Sequence, residues 1–232
     1  MKTTDQPISS DLVRETALAD GYALVALLLQ FPDASWFPRL SDESLERDVE
    51  AIARELSLDR AATSRARAEL AELAASLTAG SSSLADARRE YTRLFNHPDH
   101  PAIPLFEGVF LDEERVRAGK PKTGARLFVN PAALDAERCY RQAGFKRSSD
   151  ANVPADCIST ELEFAARLHG ERACALRDGD GKAEAAASER LAEFERIHAT
   201  KWFACFFARC TEESAHPLYR AVGRFGTALI AP

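Results

Sequence analysis

The sequence predicts an all-α fold: a single globular helical domain of about nine or ten helices over residues 1–232. Three observations lead there. Apolar residues recur at three- and four-residue spacing along nearly all of the 232 residues. No stretch alternates apolar and polar side chains with the two-residue period of a strand. Short polar caps, prolines and glycines punctuate the chain at helix-length intervals.

Taken in order, Ser9 and Ser10 offer an N-cap for a helix to about Gln30, striped by Leu12, Val13, Leu18, Tyr22, Val25, Leu28 and Leu29. Phe31-Pro32 ends it. Residues 1–8 are expected to be a disordered tail. Ser41 opens a second helix through Leu56, and Asp59 a third to Thr78, stopped by Gly80. After Ser81-Ser82-Ser83, Ser83 caps a helix carrying Ala87, Tyr91, Leu94 and Phe95. Pro98, Pro101 and Pro104 then forbid helix, yet Ile103, Leu105, Phe106, Val109 and Phe110 are apolar. Such a segment must cross the core or wall a groove. Asp112 to Thr123 reads as a charged, flexible connection, able to act as a hinge for exchanging helices between chains.

Asn130-Pro131 is a cap followed by proline at the first helical position, opening a helix to Gly144. Lys146 to Asp150 is a polar loop. Pro154 favours an extended residue before it and Asp156 suits an N-cap, so the next helix is expected to start at Asp156 and fade near Leu176. Asp178-Gly-Asp-Gly181 is a turn. A long helix from about Ala183 to Arg209 contains Trp202 to Ala208, apolar on all sides and expected to be buried. Pro217 opens the last helix, to about Leu229.

Composition narrows the function. Apolar residues make up 46% and charged residues 28%, the balance of a globular protein, and the formal charge of −6 argues against nonspecific binding to nucleic acid. Five cysteines without a CxxC pair give neither a zinc nor a disulfide framework, and suit a reducing, cytoplasmic setting. The N-terminus lacks the apolar core of a signal peptide, and the run from Tyr22 to Leu29 is too short to span a bilayer. No stable membrane insertion is expected.

Glu161 is the misfit. Wound at roughly 100° per residue, Ile158, Leu162, Phe164, Ala165 and Leu168 share one face, and Glu161 falls in its middle, where an unpaired carboxylate is costly. Either it meets a cation or buried donors, or that face lines a groove open to solvent. Glu195-x-x-His198 has the spacing of half a di-iron site but no second half. His198 shares a face with Phe194, Trp202 and Cys205, which favours a satisfied core histidine. His97-x-x-His100 has no carboxylate or thiol beside it to complete a metal site. No phosphate loop, nucleophile elbow or zinc-protease helix is present. No catalytic residue, metal or cofactor is therefore assigned.

Three blocks together resemble the TorD/DmsD/NarJ family of cytoplasmic chaperones for molybdenum-containing redox enzymes. They are Tyr91-Thr-Arg-Leu-Phe95 with Pro104-Leu-Phe-Glu107, then Pro154-Ala-Asp-Cys-Ile-Ser-Thr-Glu-Leu-Glu-Phe164, then His198-Ala-Thr-Lys-Trp202. The second is similar to the family's E-P-x-D-H-x-x-x-E-L-x-F-M signature, and Tyr140 to Gly144 matches its preceding Tyr-x-x-x-Gly step. The signature histidine is Cys157 here, its leading glutamate is Asn152 or Val153, and its methionine is Ala165. The histidine's role is accordingly not carried over. The resemblance implies a monomer or homodimer that binds the twin-arginine signal peptide of a molybdopterin-enzyme precursor and delays export until the cofactor is loaded. On that reading Asp156 and Glu161 supply charge, Tyr91, Leu94, Phe95, Pro104, Phe106, Leu162 and Phe164 form a groove wall, Glu107 also belongs to the peptide-binding set, and His198 and Trp202 support the wall. A helical metal-dependent enzyme and a non-catalytic scaffold are the competing classes.

Overall fold

Several helices begin where the chain supplies a short polar side chain ahead of an apolar stripe. The computed structural model describes residues 9–35, 37–80, 83–123, 130–147 and 153–231. The expected tail at 1–8, Ser81, Ser82 and Asn152 lie outside the described residues. The first helix, α1 (Ser10–Leu28), is capped by Ser9, whose hydroxyl accepts from Leu12 N at 3.2 Å. A short α2 (Phe37–Ser41) precedes α3 (Ser44–Glu55). Ser41 thus ends a helix instead of opening one: the Asp42 carboxylate accepts from Ser44 N at 3.0 Å, turning the chain, and Glu43 takes a left-handed φ of 61°. Asp59 caps α4 (Arg60–Thr78) at 2.7 Å from Ala62 N, and Ser83 caps α5 (Leu84–Phe95).

The largest departure from expectation is α6 (Glu107–Arg117), which occupies the first half of the supposed connection. The charged stretch is helical as far as Arg117, so no loose hinge begins at Asp112. Beyond it, α7 (Pro131–Gln142) is capped by Asn130 at 2.8 Å from Ala133 N. Then come α8 (Ile158–Asp178), α9 (Gly181–Phe194), a π-helical turn (Glu195–Ala199), α10 (Thr200–Glu213) and α11 (Pro217–Leu229). The ninth helix, the π turn and the tenth run on as one rod, so the eleven α-helices among the described residues make ten rods. Those residues contain no β-strand, only an isolated antiparallel bridge between Phe106 and Cys157. The architecture is all-α. None of the described helices is long and apolar enough to cross a membrane.

The central rod is α8, with α1 along one side and α9 on another. Glu15 fastens the first contact from inside, 2.8 Å from His169 and 2.7 Å from Arg172. At the other end α11 packs on α4 and α10. A Cβ at Gly226 would lie 2.4 Å from the Phe207 ring, so the bare backbone is what lets α11 sit against that phenylalanine. Trp202, Phe203, Phe206 and Phe207 fill the core. The helix carrying them is not buried all round, however: Ala204, Cys205 and Ala208 form an exposed edge. Small side chains left in water cost little, and apolar composition alone could not distinguish the two faces.

The proline-rich segment is exposed from Asn96 to His100 and enters the core only at Ile103 and Pro104. Ala102 N and Ile103 N donate to the Arg93 and Leu94 carbonyls at 3.3 and 2.7 Å. The buried Arg209 guanidinium bonds the Ala102 carbonyl and stacks 5.3 Å over Phe110. Two backbone bonds then join the segment to the start of α8: Glu107 N to Asp156 O at 2.9 Å and Ile158 N to Leu105 O at 2.8 Å.

Candidate functional site

That small bridge brings together residues far apart in sequence. Asp156 does not cap its own helix; Cys157 holds the N-cap position of α8 without a side-chain bond. Instead the Asp156 carboxylate accepts from Gly108 N at 3.0 Å, capping α6 from 48 positions away. Asn130 packs into the same corner, its Oδ1 only 2.7 Å from where a Cβ on Gly108 would stand. Burial raises the Asp156 carboxyl above its usual range, against the pull of the Gly108 N–H and the Asn130 side chain.

Beside this corner Glu107 from α6, Glu161 from the first turn of α8 and His198 from the π turn converge. All three are buried, to 1% exposure or less. His198 Nδ1 lies 2.6 Å from Glu107 Oε2 and 3.7 Å from Glu161 Oε1. The indole N–H of Trp202 donates to Glu161 Oε2 at 3.0 Å, while Glu161 Oε1 has no donor. Burial and the neighbouring Glu107 charge hold the Glu161 carboxyl well above its ordinary range, with the indole pulling the other way. The imidazole stacks on Phe194 at 5.4 Å and turns Nε2 toward Asp135 Oδ2, 4.0 Å off. A π turn widens the helix by one residue, the local feature most often tied to a placed side chain.

Over Glu107 and His198 opens a cavity of roughly 740 Å³, walled by Leu111, Pro131 and Leu134 and bordered by Asp135, Arg138 and Lys201. Leu134 is 60% exposed.

The sequence-derived residues divide cleanly. Glu107, Asp156, Glu161, His198 and Trp202 meet around this one point. Glu161 has met buried partners; it does not line an open groove. Leu162 and Phe164 are buried side chains of α8, Phe164 against Tyr140 and Phe194, and Tyr91, Leu94 and Phe95 lie in an aromatic cluster with Tyr219, Phe95 standing 5.4 Å from that ring. Pro104 is buried and Phe106 partly so. The expected groove wall is thus, in this conformation, core. Helical periodicity reports that a side chain leaves water, not whether protein or ligand covers it. Asp135, Leu134 and Lys201 escaped the sequence reading, since each alone is an ordinary surface residue of a helix.

The sequence profile of the nitrate reductase delta subunit family matches residues 59–208. The chain belongs to that family. Its members are chaperones of molybdoenzyme maturation, the NarJ/TorD-like group that the motif blocks resemble. Among curated proteins none matches the chain. The matched span holds the whole Glu107–Glu161–His198 cluster and its cavity; α1, α2 and α3 precede it.

Proposed function

We propose that the protein is a cytoplasmic, non-catalytic chaperone. It binds the twin-arginine signal peptide of a molybdopterin-containing oxidoreductase precursor and holds it back from export until the cofactor is inserted. The observation carrying this reading is an open cavity inside the family-matched span, with an exposed leucine beside Asp135 and with the motif residues Glu107 and His198 in its lining. Leu111, Pro131 and Leu134 offer apolar area to the peptide's hydrophobic run. Asp135, whose Oδ1 already accepts from Arg138 Nε at 2.9 Å, would exchange that partner for a signal-peptide guanidinium, whose planar fork a lysine cannot copy. Of the five motif residues, Glu107 and His198 reach the cavity lining.

A second surface lies between α1 and α3, where Leu12, Val13, Ala17 and Ile52 line a groove flanked by Asp20 and Glu55. It is the more apolar of the two, but it precedes the matched span, so a shared family activity belongs more economically to the cavity.

Calorimetric titration with the signal peptide of the molybdoenzyme encoded nearby tests the reading. Replacing the apolar run by serines should abolish binding. Exchanging both arginines for lysines should weaken it modestly, because exposed ion pairs contribute about 0–1 kcal/mol each. Leu134→Asp should weaken it about tenfold or more, the value of one lost apolar contact. Val13→Asp should leave it unchanged. The reverse pattern of these two variants moves the peptide to the α1–α3 groove, and equal affinity for the serine peptide ends the proposal.

A further inference from the structure

Glu107, Glu161 and His198 are three ligand-type side chains from three separate elements, and their ligand atoms all lie within 4.8 Å of one another. We infer that they form a binding site for one divalent transition-metal ion, with Zn²⁺ the best fit and water from the cavity as its fourth ligand. The inference stands apart from the peptide reading.

Four features carry it. Glu161 Oε1 is fully buried, has no donor, and faces His198 across 3.7 Å; such an atom calls for an explanation, and a cation supplies one. The spacing suits the ion: three ligands at tetrahedral zinc distances stand about 3.4 Å apart, between the 2.6 and 3.7 Å found here. The outer shell is partly built: Trp202 N–H holds the other Glu161 oxygen and Phe194 stacks on the imidazole, while His198 Nε2 has no hydrogen-bond partner and Asp135 Oδ2 stands 4.0 Å from it. Finally, Glu107 and His198 line the cavity, which gives the ion a path from solvent. One imidazole with two carboxylates fits zinc better than calcium or magnesium, which prefer oxygen-only shells.

The ion would take the Nδ1 lone pair of His198 and one oxygen from each carboxylate.

Zn²⁺ titration of the chelator-stripped, reduced full chain, without peptide and against a chromophoric competitor, tests the site. It is best run in a His97→Ala/His100→Ala background, which removes an exposed histidine pair. One ion should bind per chain. Glu161→Gln, which keeps an oxygen for the indole, should weaken binding at least about tenfold, and Glu107→Gln likewise, with helicity unchanged by circular dichroism. Co²⁺ should give a tetrahedral visible band without thiolate charge transfer. No one-to-one competition, undiminished affinity in Glu161→Gln, or a thiolate band placing the ion on cysteine would each overturn the assignment.

Discussion

Glu161 shows how one side chain can be paired and still be under-satisfied. Because its folded pKa is raised, the native state keeps a proton that the unfolded chain gives up above about pH 4.3. Stability must therefore fall as pH rises from there toward the folded value. Glu161→Gln removes this dependence, so under chelation its urea midpoint should overtake that of the parent between pH 5 and 8. The gain should be up to about 1 kcal/mol per pH unit. A constant difference across that range would mean that Glu161 is ionised in the fold. Trp202 provides the complementary case. Truncation to Ala opens a cavity in a fully buried site and should cost roughly 3–5 kcal/mol. Trp202→Phe keeps most of the ring volume and loses the indole donor, so about 1–3 kcal/mol is expected. Chemical denaturation of the two variants separates packing from hydrogen bonding.

At the scale of elements, α6 is instructive because local sequence argues against it. Prolines precede it, Gly108 sits in its first turn, and Phe106 at its N-cap offers no side-chain acceptor. The acceptor comes from Asp156, and the entry of α6 is held by the two-bond bridge at Phe106–Cys157. Asp156→Ala should thus cost about 1–3 kcal/mol, as for a buried donor left unpaired, beyond the roughly 1 kcal/mol of a surface cap. Asp156→Asn, which retains an oxygen for Gly108 N–H, should recover most of that loss. Amide exchange at Gly108 should rise in the alanine variant alone. Helices capped from within, such as α1, α4, α5 and α7, were legible in the sequence because cap and stripe are neighbours. The sixth helix was not, because its cap lies in another segment.

Across the whole molecule, long-range pairs tie the rods together. Glu90 on α5 accepts from Arg93, from the Ser214 hydroxyl and from Ala215 N at 2.7 Å, joining the fifth helix to the turn before α11. Despite its burial these donors bring its pKa down to about 2. A depressed carboxylate stabilises fully above its unfolded pKa near 4.3, and the contribution is lost as pH falls toward 2. Glu90→Gln should lose about 1–2 kcal/mol at neutral pH, allowing for solvent screening. It should also flatten the acid limb of the stability curve below pH 4.5. An unchanged acid limb in a pH series of denaturation curves would remove Glu90 from that role. The fold itself should survive chelation, because the metal ligands sit within an apolar core that closes without an ion; far-UV circular dichroism before and after chelation measures this.

The amino-acid sequence by itself determined the helical class, most helix starts and the apolar faces, because caps, prolines and three-to-four spacing act within a few residues. It also marked Glu161, since one charge on an apolar stripe is visible without coordinates, and its motifs pointed to the family. Only the tertiary structure decided what Glu161 meets. Glu107, His198 and Trp202 reach it from other elements, and no local rule links positions separated by up to 95 residues. The same reason explains why the supposed groove wall proved to be core. Burial is written in the pattern, but the identity of the covering surface depends on how the rods pack.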